Sequence, residues 1–349
     1  HRDLHSFPTR RSSDLQQCYI YCPMANEKDG IQFVDIIQKI RAYAYSRKLL
    51  EPQLKEHQTH DDITQVIPQM QSISPTGTNK IDFILNDSKL KIAQQGPIAF
   101  FIGCAGSMES AFYSYNIPYT QIPKSVIRLL NRCNVVPVIA EMKCCGHDSY
   151  WVGDVDTAQK LAEFNVEVYK KAGVKTIIME CAEGYRTWKY EYPKLVKDFP
   201  FEVLHFTEFL IKNKLTKFLK PASGMKIKVT YHDPCRMGRL GGKLYDPPRE
   251  ILKNLGTVEL IEMKHIKDDS NCCGVVAFKG CNSATKRIRE NRINEAIDTG
   301  AEYLITTCPK CITHFTCYIH ETDDNGGFEG THPNINITDL ASFLAKICL

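Results

Sequence analysis

Lys143-Cys144-Cys145-Gly146 and Asn271-Cys272-Cys273-Gly274 are the two stretches on which the reading of this chain turns. Each holds a vicinal cysteine pair followed by glycine, and each is flanked by further cysteines at matched distances. The first copy runs Cys104, Cys144-Cys145-Gly146, Cys181, with 39 and 35 residues in the gaps. The second runs Cys235, Cys272-Cys273-Gly274, Cys308-Pro309-Lys310-Cys311, with gaps of 36 and 34. Thiolates gathered from three separate loops at repeated spacing suit a multi-iron cluster better than disulfides or one zinc ion. Adjacent cysteines are poor partners for a single tetrahedral ion, because the short link strains the angle, but they can reach two neighbouring irons. Gly146 and Gly274 let the backbone approach closely and adopt positive φ.

The residues around each copy fix the fold class. An apolar strand delivers the first cysteine at its C-terminal end: Ile98–Gly103 before Cys104 and Ile227–Tyr231 before Cys235. A helix leads to a second strand, Val135–Ile139 or Val258–Met263, and the vicinal pair follows it. Amphipathic helices are expected over Thr157–Ala172 and Ala284–Thr299, then third strands over Thr176–Glu180 and Tyr303–Thr306. Strands alternating with helices predict an α/β fold: two duplicated domains, residues 96–222 and 223–349, with parallel sheets and helical crossovers. The cysteines then sit in loops beyond the strand C-termini, where open α/β sheets place their sites.

The copies differ in ligand number. The second offers five thiolates, Cys235, Cys272, Cys273, Cys308 and Cys311, one more than a regular cubane uses, so an unusual cluster is expected there. A structural zinc site built from four of the five is the alternative. In the first copy Cys181-Ala182-Glu183-Gly184 has glycine in place of the last cysteine, leaving Cys104, Cys144, Cys145 and Cys181. That set fits a cluster with altered ligands, a zinc site or an empty relic. His147 and Glu183 are either substitute ligands or ordinary loop residues. His232, three residues before Cys235, is placed to donate a hydrogen bond to a thiolate or a proton to a thiol product; the alternative is a loop histidine capping backbone. Arg236, Arg239, Lys243 and Lys279 either attract an anionic substrate or offset cluster charge. Cys133, Cys281, Cys317 and Cys348 fit no spacing, and Cys133 and Cys348 lie among apolar residues as core cysteines would.

Upstream, residues 1–15 (HRDLHSFPTRRSSDL) match the conceptual translation of a common sequencing-library adapter at every position and are expected to be an artefact. Residues 16–30 read as the remnant of a ferredoxin-type [4Fe-4S] domain, because Cys18-Tyr-Ile-Tyr-Cys22-Pro23 is the tail of a C-x2-C-x2-C-x3-C-P run. Residues 31–95 read as a helical connector region, apolar at helical spacing over 31–42 and polar over 56–80. The net charge of +4 is too mild to argue for nucleic acid. No apolar run approaches the roughly 20 residues that span a bilayer. Fifteen cysteines in a chain of cytoplasmic character point to metal or redox chemistry.

At these residues the chain resembles the cysteine-rich, or CCG-domain, family. The members it looks most like carry a ferredoxin domain followed by two CCG repeats. They include one subunit of membrane-linked CoB–CoM heterodisulfide reductase and the iron–sulfur subunits of anaerobic glycerol-3-phosphate dehydrogenase and of glycolate or lactate oxidation. The resemblance implies an oxidoreductase with a noncubane [4Fe-4S] cluster on Cys235, Cys272, Cys273, Cys308 and Cys311 that cleaves an anionic disulfide. The alternative it implies is an electron-transfer subunit between a flavin dehydrogenase and a quinone or another carrier. It also implies a partner that donates electrons, a b-type cytochrome or a flavoprotein, through which the chain would lie peripheral to a membrane. The Gly184 departure puts the cluster role in doubt for the first site.

Cys18 and Cys22 are two thiolates where a cubane needs four. Cys18→Ser is therefore expected to leave the iron content of the anaerobically reconstituted chain nearly unaltered. An iron assay showing a loss comparable to that of Cys272→Ser would overturn this reading.

Overall fold

The computed structural model describes residues 33–48, 67–75, 81–221, 226–274, 283–319 and 335–349. Residues 1–15, Cys18, Cys22, Lys279 and Cys281 lie outside the described residues. Two parallel sheets form the framework. The first has strand order β1 (Ile98–Phe101), β2 (Thr176–Met179), β3 (Glu202–His205). The second has order β5 (Val258–Leu260), β4 (Ile227–Tyr231), β6 (Tyr303–Thr306), β7 (Asn336–Asp339). Most of these strands are short apolar runs, such as Ile98-Ala-Phe-Phe101 and Thr176-Ile-Ile-Met179, with three consecutive buried residues. Such runs suit parallel strands covered on both faces.

The expected strand Val135–Ile139 is reduced to a single bridging residue. Val138 donates to Ile98 O at 2.8 Å and accepts from Phe100 N at 3.1 Å. Pro137 has no N–H to extend the ladder, and its carbonyl accepts from Ala93 N instead. Val138 nevertheless bridges β1 as β5 pairs with β4, so both copies share one strand order. The strands β3 and β7, which close each sheet, carry no clear sequence signal. The strands β4 and β6 have the expected bounds, and β1, β2 and β5 end one to three residues before their expected C-termini.

The helices are α1 (Phe33–Ser46), α2 (67–73), α3 (Asp82–Leu85), α4 (Ala105–Ala111), α5 (Gln121–Arg132), α6 (His147–Val152) and α7 (Val155–Lys171). They continue as α8 (Ala182–Arg186), α9 (Tyr192–Leu195), α10 (Phe206–Lys212), α11 (Asp246–Asn254), α12 (Ser283–Asp298), α13 (Pro309–Ile319) and α14 (Leu340–Cys348). Local chemistry sets α7 clearly. Asp154 accepts from Thr157 N at its start, and Lys170 and Lys171 complement the dipole at its end. Its buried face, Ala158, Leu161, Ala162, Asn165, Val166 and Tyr169, follows the helical period.

The two copies are joined by a reciprocal exchange. After β3, α10 packs on α11 of the second copy; after β7, α14 packs on α5 of the first. One hydrophobic core therefore runs through both units. Cys133 and Cys348 belong to it. The C-terminal ends of β2 and β6 face each other across the junction. Ala182 N donates to Thr307 O at 3.0 Å. Pro309, the counterpart of Ala182, has no N–H to return the bond, and Glu180 O accepts from His205 Nε2 at 2.8 Å.

His205 also receives Thr207 N on Nδ1 at 3.2 Å and forms the N-cap of α10, so the ring is held as a neutral imidazole. Burial pushes its pKa down to about 4. The unfolded chain binds a proton on this ring near pH 6.5 and the folded chain does not, so its contribution to stability is present above pH 6.5 and is lost as pH falls towards 4. The depression corresponds to about 3 kcal/mol. His205→Asn is expected to remove most of that pH-dependent loss, read as the difference between wild-type and variant denaturation curves at pH 7 and pH 4.5. Equal slopes in the two proteins would refute it.

Candidate metal centres

Both vicinal pairs adopt the same local geometry. Gly146 and Gly274 sit at φ +78° and +86°. A Cβ at Gly274 would lie 2.8 Å from Thr285 O and 2.9 Å from Arg289 Cβ, so only glycine fits. Each glycine N–H turns back to the first sulfur of its pair, at 3.4 Å from Cys144 Sγ and from Cys272 Sγ.

In the second copy, Cys235 follows β4, Cys272 and Cys273 follow β5, and Cys308 and Cys311 bracket the start of α13. The ligand atoms of His232, Cys273 and Cys311 lie within 4.8 Å of one another. Cys273 Sγ is hydrogen-bonded with Cys272, Cys311 and His232, and Cys311 with Cys308. Those bonds pull Cys273 well below the ordinary thiol range, with Cys272 contributing most. Cys235 completes the group. Burial raises its thiol to about 11, opposed by the positive charges of Arg236 and Arg239. Cys235 lies within electrostatic reach of Cys273 and Cys308.

The surroundings of His232 fix its proton. Arg292 Nε donates to His232 Nδ1 at 3.0 Å, and a guanidinium can only donate. The imidazole proton therefore resides on Nε2, the nitrogen facing Cys273. Arg292 is held in turn by Glu295 Oε2 at 2.6 Å and by His265 O at 2.8 Å. An imidazolium would set Nδ1–H against the Arg292 N–H, and burial also pushes the His232 pKa down. The geometry favours a hydrogen bond to sulfur over proton donation by an imidazolium.

Arg236 lies over the Trp151 ring at 4.1 Å, and Arg239 donates to Ser270 O at 2.6 Å and Asp268 O at 3.1 Å. Both are anchored beside Cys235, which suits charge compensation. Lys243 is exposed, with its ammonium 4.0 Å from Asp268.

In the first copy one pocket is lined by Cys104, Cys144, Cys145 and Cys181 together with His147, Asp148, Met179, Glu183, Gly184 and Lys310. All four thiols converge here. Cys144 is drawn below the ordinary range, chiefly by its bond with Cys145, and Cys145 is driven well above it. His147 Nδ1 bonds Thr187 Oγ1 at 2.9 Å, and Nε2 lies 3.7 Å from Glu183 Oε1. Burial raises Glu183 to about 7.

Sequence reasoning missed four contributors. Lys310, between Cys308 and Cys311 of the second copy, places its ammonium in the first pocket against Asp148 and 3.5 Å from Glu183. Gln71 Oε1, from a stretch expected to be a polar connector, accepts from Cys144 N at 2.5 Å. Asn165 on α7 accepts from Lys143 N at 2.8 Å and donates to Cys144 O at 3.1 Å. The fourth is Asp148. The Cys-x2-Cys turn and the helical phase of Asn165 are visible in sequence, but the entry of Lys310 into the other copy's pocket is not.

The donor sets fit iron–sulfur clusters: four or five convergent thiols, largely buried, with backbone N–H groups aimed at sulfur. A family model described as "CCG: Cysteine-rich domain" matches residues 98–185 and 229–316. Among curated relatives, a subunit of the dihydromethanophenazine:CoB–CoM heterodisulfide reductase of Methanosarcina acetivorans is 33% identical over 233 residues, covering 64% of this chain and 54% of the relative. The EtfAB:quinone oxidoreductase of Syntrophomonas wolfei is 33% identical over 224 residues, covering 61% and 30%. A subunit of the anaerobic glycerol-3-phosphate dehydrogenase of Escherichia coli is 31% identical over 226 residues, covering 61% and 53%. The chain spans about half the length of the heterodisulfide reductase subunits it matches.

Lys310→Met would leave the buried Glu183 and the half-buried Asp148 without their cation. A loss of about 3 kcal/mol in chemical denaturation is expected, since removing one member of a buried ion pair costs that much. Asp148→Asn in the same chain is expected to restore part of it. A loss under about 1 kcal/mol would show that the pair is solvated.

Proposed function

We propose that this chain, which belongs to the cysteine-rich CCG domain family, reduces a small anionic disulfide of the CoB–CoM heterodisulfide class at its second site. Family and relatives support an iron–sulfur oxidoreductase subunit. The observation that carries the finer reading is the meeting of His232, Cys273 and Cys311 within 4.8 Å of one another, with Cys272 against Cys273 and Cys308 against Cys311.

Cys235, Cys272, Cys273, Cys308 and Cys311 would hold a noncubane [4Fe-4S] cluster. Bound there, it would supply single electrons and an iron open to a substrate sulfur. Two electrons and two protons convert one disulfide to two thiols. His232 would keep its hydrogen bond on Cys273 throughout, and hydrogen bonds to cluster sulfurs set reduction potential. Arg236 and Arg239 would balance charge beside Cys235 and favour an anionic substrate. Burial of the vicinal pair would limit water access.

Electrons would come from a partner subunit, a b-type cytochrome or a flavoprotein, and Cys18 and Cys22 would be the remnant of a ferredoxin-type domain on that path. No helix among the described residues is long and apolar enough to cross a membrane. A cytoplasmic position, peripheral to the membrane through the partner, accords with that reading. The competing reading is a pure relay between a flavin dehydrogenase and a quinone, and the similarity to the EtfAB:quinone oxidoreductase supports it.

The test is anaerobic reconstitution of the full chain, followed by disulfide cleavage with an artificial one-electron donor. Cys273→Ser is expected to abolish both the second-site spectrum and the cleavage. An intact, reducible second cluster with no cleavage would transfer the assignment to the relay.

A further inference from the structure

The chain contains its own control, because each site can be compared with its duplicate. Cys181-Ala182-Glu183-Gly184 follows β2, the strand between β1 and β3; Cys308-Pro309-Lys310-Cys311 follows β6, the strand between β4 and β7. Met179 pairs with His205 in register as Thr306 pairs with Asp339. Met179 and Thr306 are therefore equivalent, as are Gly184 and Cys311.

At the second site the Cys311 thiol bonds Cys273 and Cys308. At the first, a Cβ placed on Gly184 would lie 2.7 Å from Met179 Cε and 3.8 Å from Cys181 Cβ. Gly184 is not among the glycines with positive φ, so its backbone does not require glycine. The Met179 methyl occupies the place a side chain at 184 would take. Met179 is 1% exposed and lines the pocket with the four thiols. Two replacements thus compensate: where cysteine is lost at 184, the residue at 179 is methionine instead of threonine. The contact is made by the terminal methyl.

Resting on the assignment of the second site as the substrate site, we propose that the first site takes a four-thiolate [4Fe-4S] cubane on Cys104, Cys144, Cys145 and Cys181, and that Met179 plugs the fifth-ligand space. The vicinal pair argues against one zinc ion, since both Cys144 and Cys145 line the same pocket. With four thiolates on four irons and the fifth position filled by protein, this site relays electrons and takes no substrate. Residues 179 and 184 thereby divide the labour between the copies.

The test uses the full chain, reconstituted anaerobically. Cys104→Ser/Cys181→Ser isolates the spectrum of the second site, and Cys272→Ser/Cys273→Ser isolates that of the first. The two spectra are expected to differ, and the second preparation is expected to hold about four irons. Zinc or no metal in it overturns the proposal. Met179→Thr/Gly184→Cys in the otherwise native chain is expected to lose the first-site spectrum and double the second-site spectrum at unchanged iron content. Retention of the first-site spectrum overturns the proposal. Met179→Leu keeps the volume without the sulfur and is expected to leave the first-site spectrum as it was; its loss would overturn the plug in favour of a thioether ligand. If the double variant does not fold, the Met179→Leu spectrum and the metal content of the isolated first site still decide the matter. Failure of disulfide cleavage with all spectra as expected would instead count against the second-site reading alone.

Discussion

The bond from each CCG glycine N–H back to the first sulfur of its pair, at 3.4 Å in both copies, is the constraint around which the molecule is arranged. It requires a left-handed glycine directly after two cysteines, and it presents both sulfurs on one side of a tight loop. The rest of each domain holds that loop still. Asn165 and Gln71 fix the peptide groups on either side of Cys144, and Thr285 and Arg289 close against Gly274. A parallel sheet is well suited to this purpose. It gathers several strand C-termini at one edge, so three loops distant in sequence reach one point.

Much of this is legible in the residues. Cysteine spacing marks the duplication, apolar runs mark β1, β2, β4 and β6, and the glycine after each pair announces positive φ. The strands β3 and β7 escape because short half-polar segments such as Asn336-Ile-Thr-Asp339 carry too weak a pattern for periodicity. Val135–Ile139 suggests a full strand because its β-branched residues outweigh the missing N–H of Pro137. At the sites, the thiols are predictable one copy at a time, but contacts between copies are not. Lys310 looks like spacing inside Cys308-Pro309-Lys310-Cys311, and only the packing of one sheet edge on the other sends it into its neighbour's pocket.

The junction between copies is polar at its centre and apolar at its flanks. At the centre, Glu180 and Asp339 are buried as neighbours, and burial raises both carboxyls. Around them α10 on α11 and α14 on α5 bury apolar faces against each other. Buried charge contributes little to net stability unless it is well paired, so the exchanged helices carry the cohesion and the polar centre fixes the alignment. Cys181 and Cys308 come close enough here for the charge of one to raise the other. The two thiol clusters are therefore electrostatic neighbours.

Glu183 and Lys310 occupy equivalent positions in the two copies and meet 3.5 Å apart across the axis that relates them. In an assembly of two identical halves, that place would bring glutamate against glutamate or lysine against lysine, a repulsion buried from water. Opposite charges remove the repulsion, and they also remove the option of self-pairing. Each half has become a lock that only the other half fits. Two first halves, or two second halves, from different chains would set like charges together, so the same two side chains discourage that mispairing.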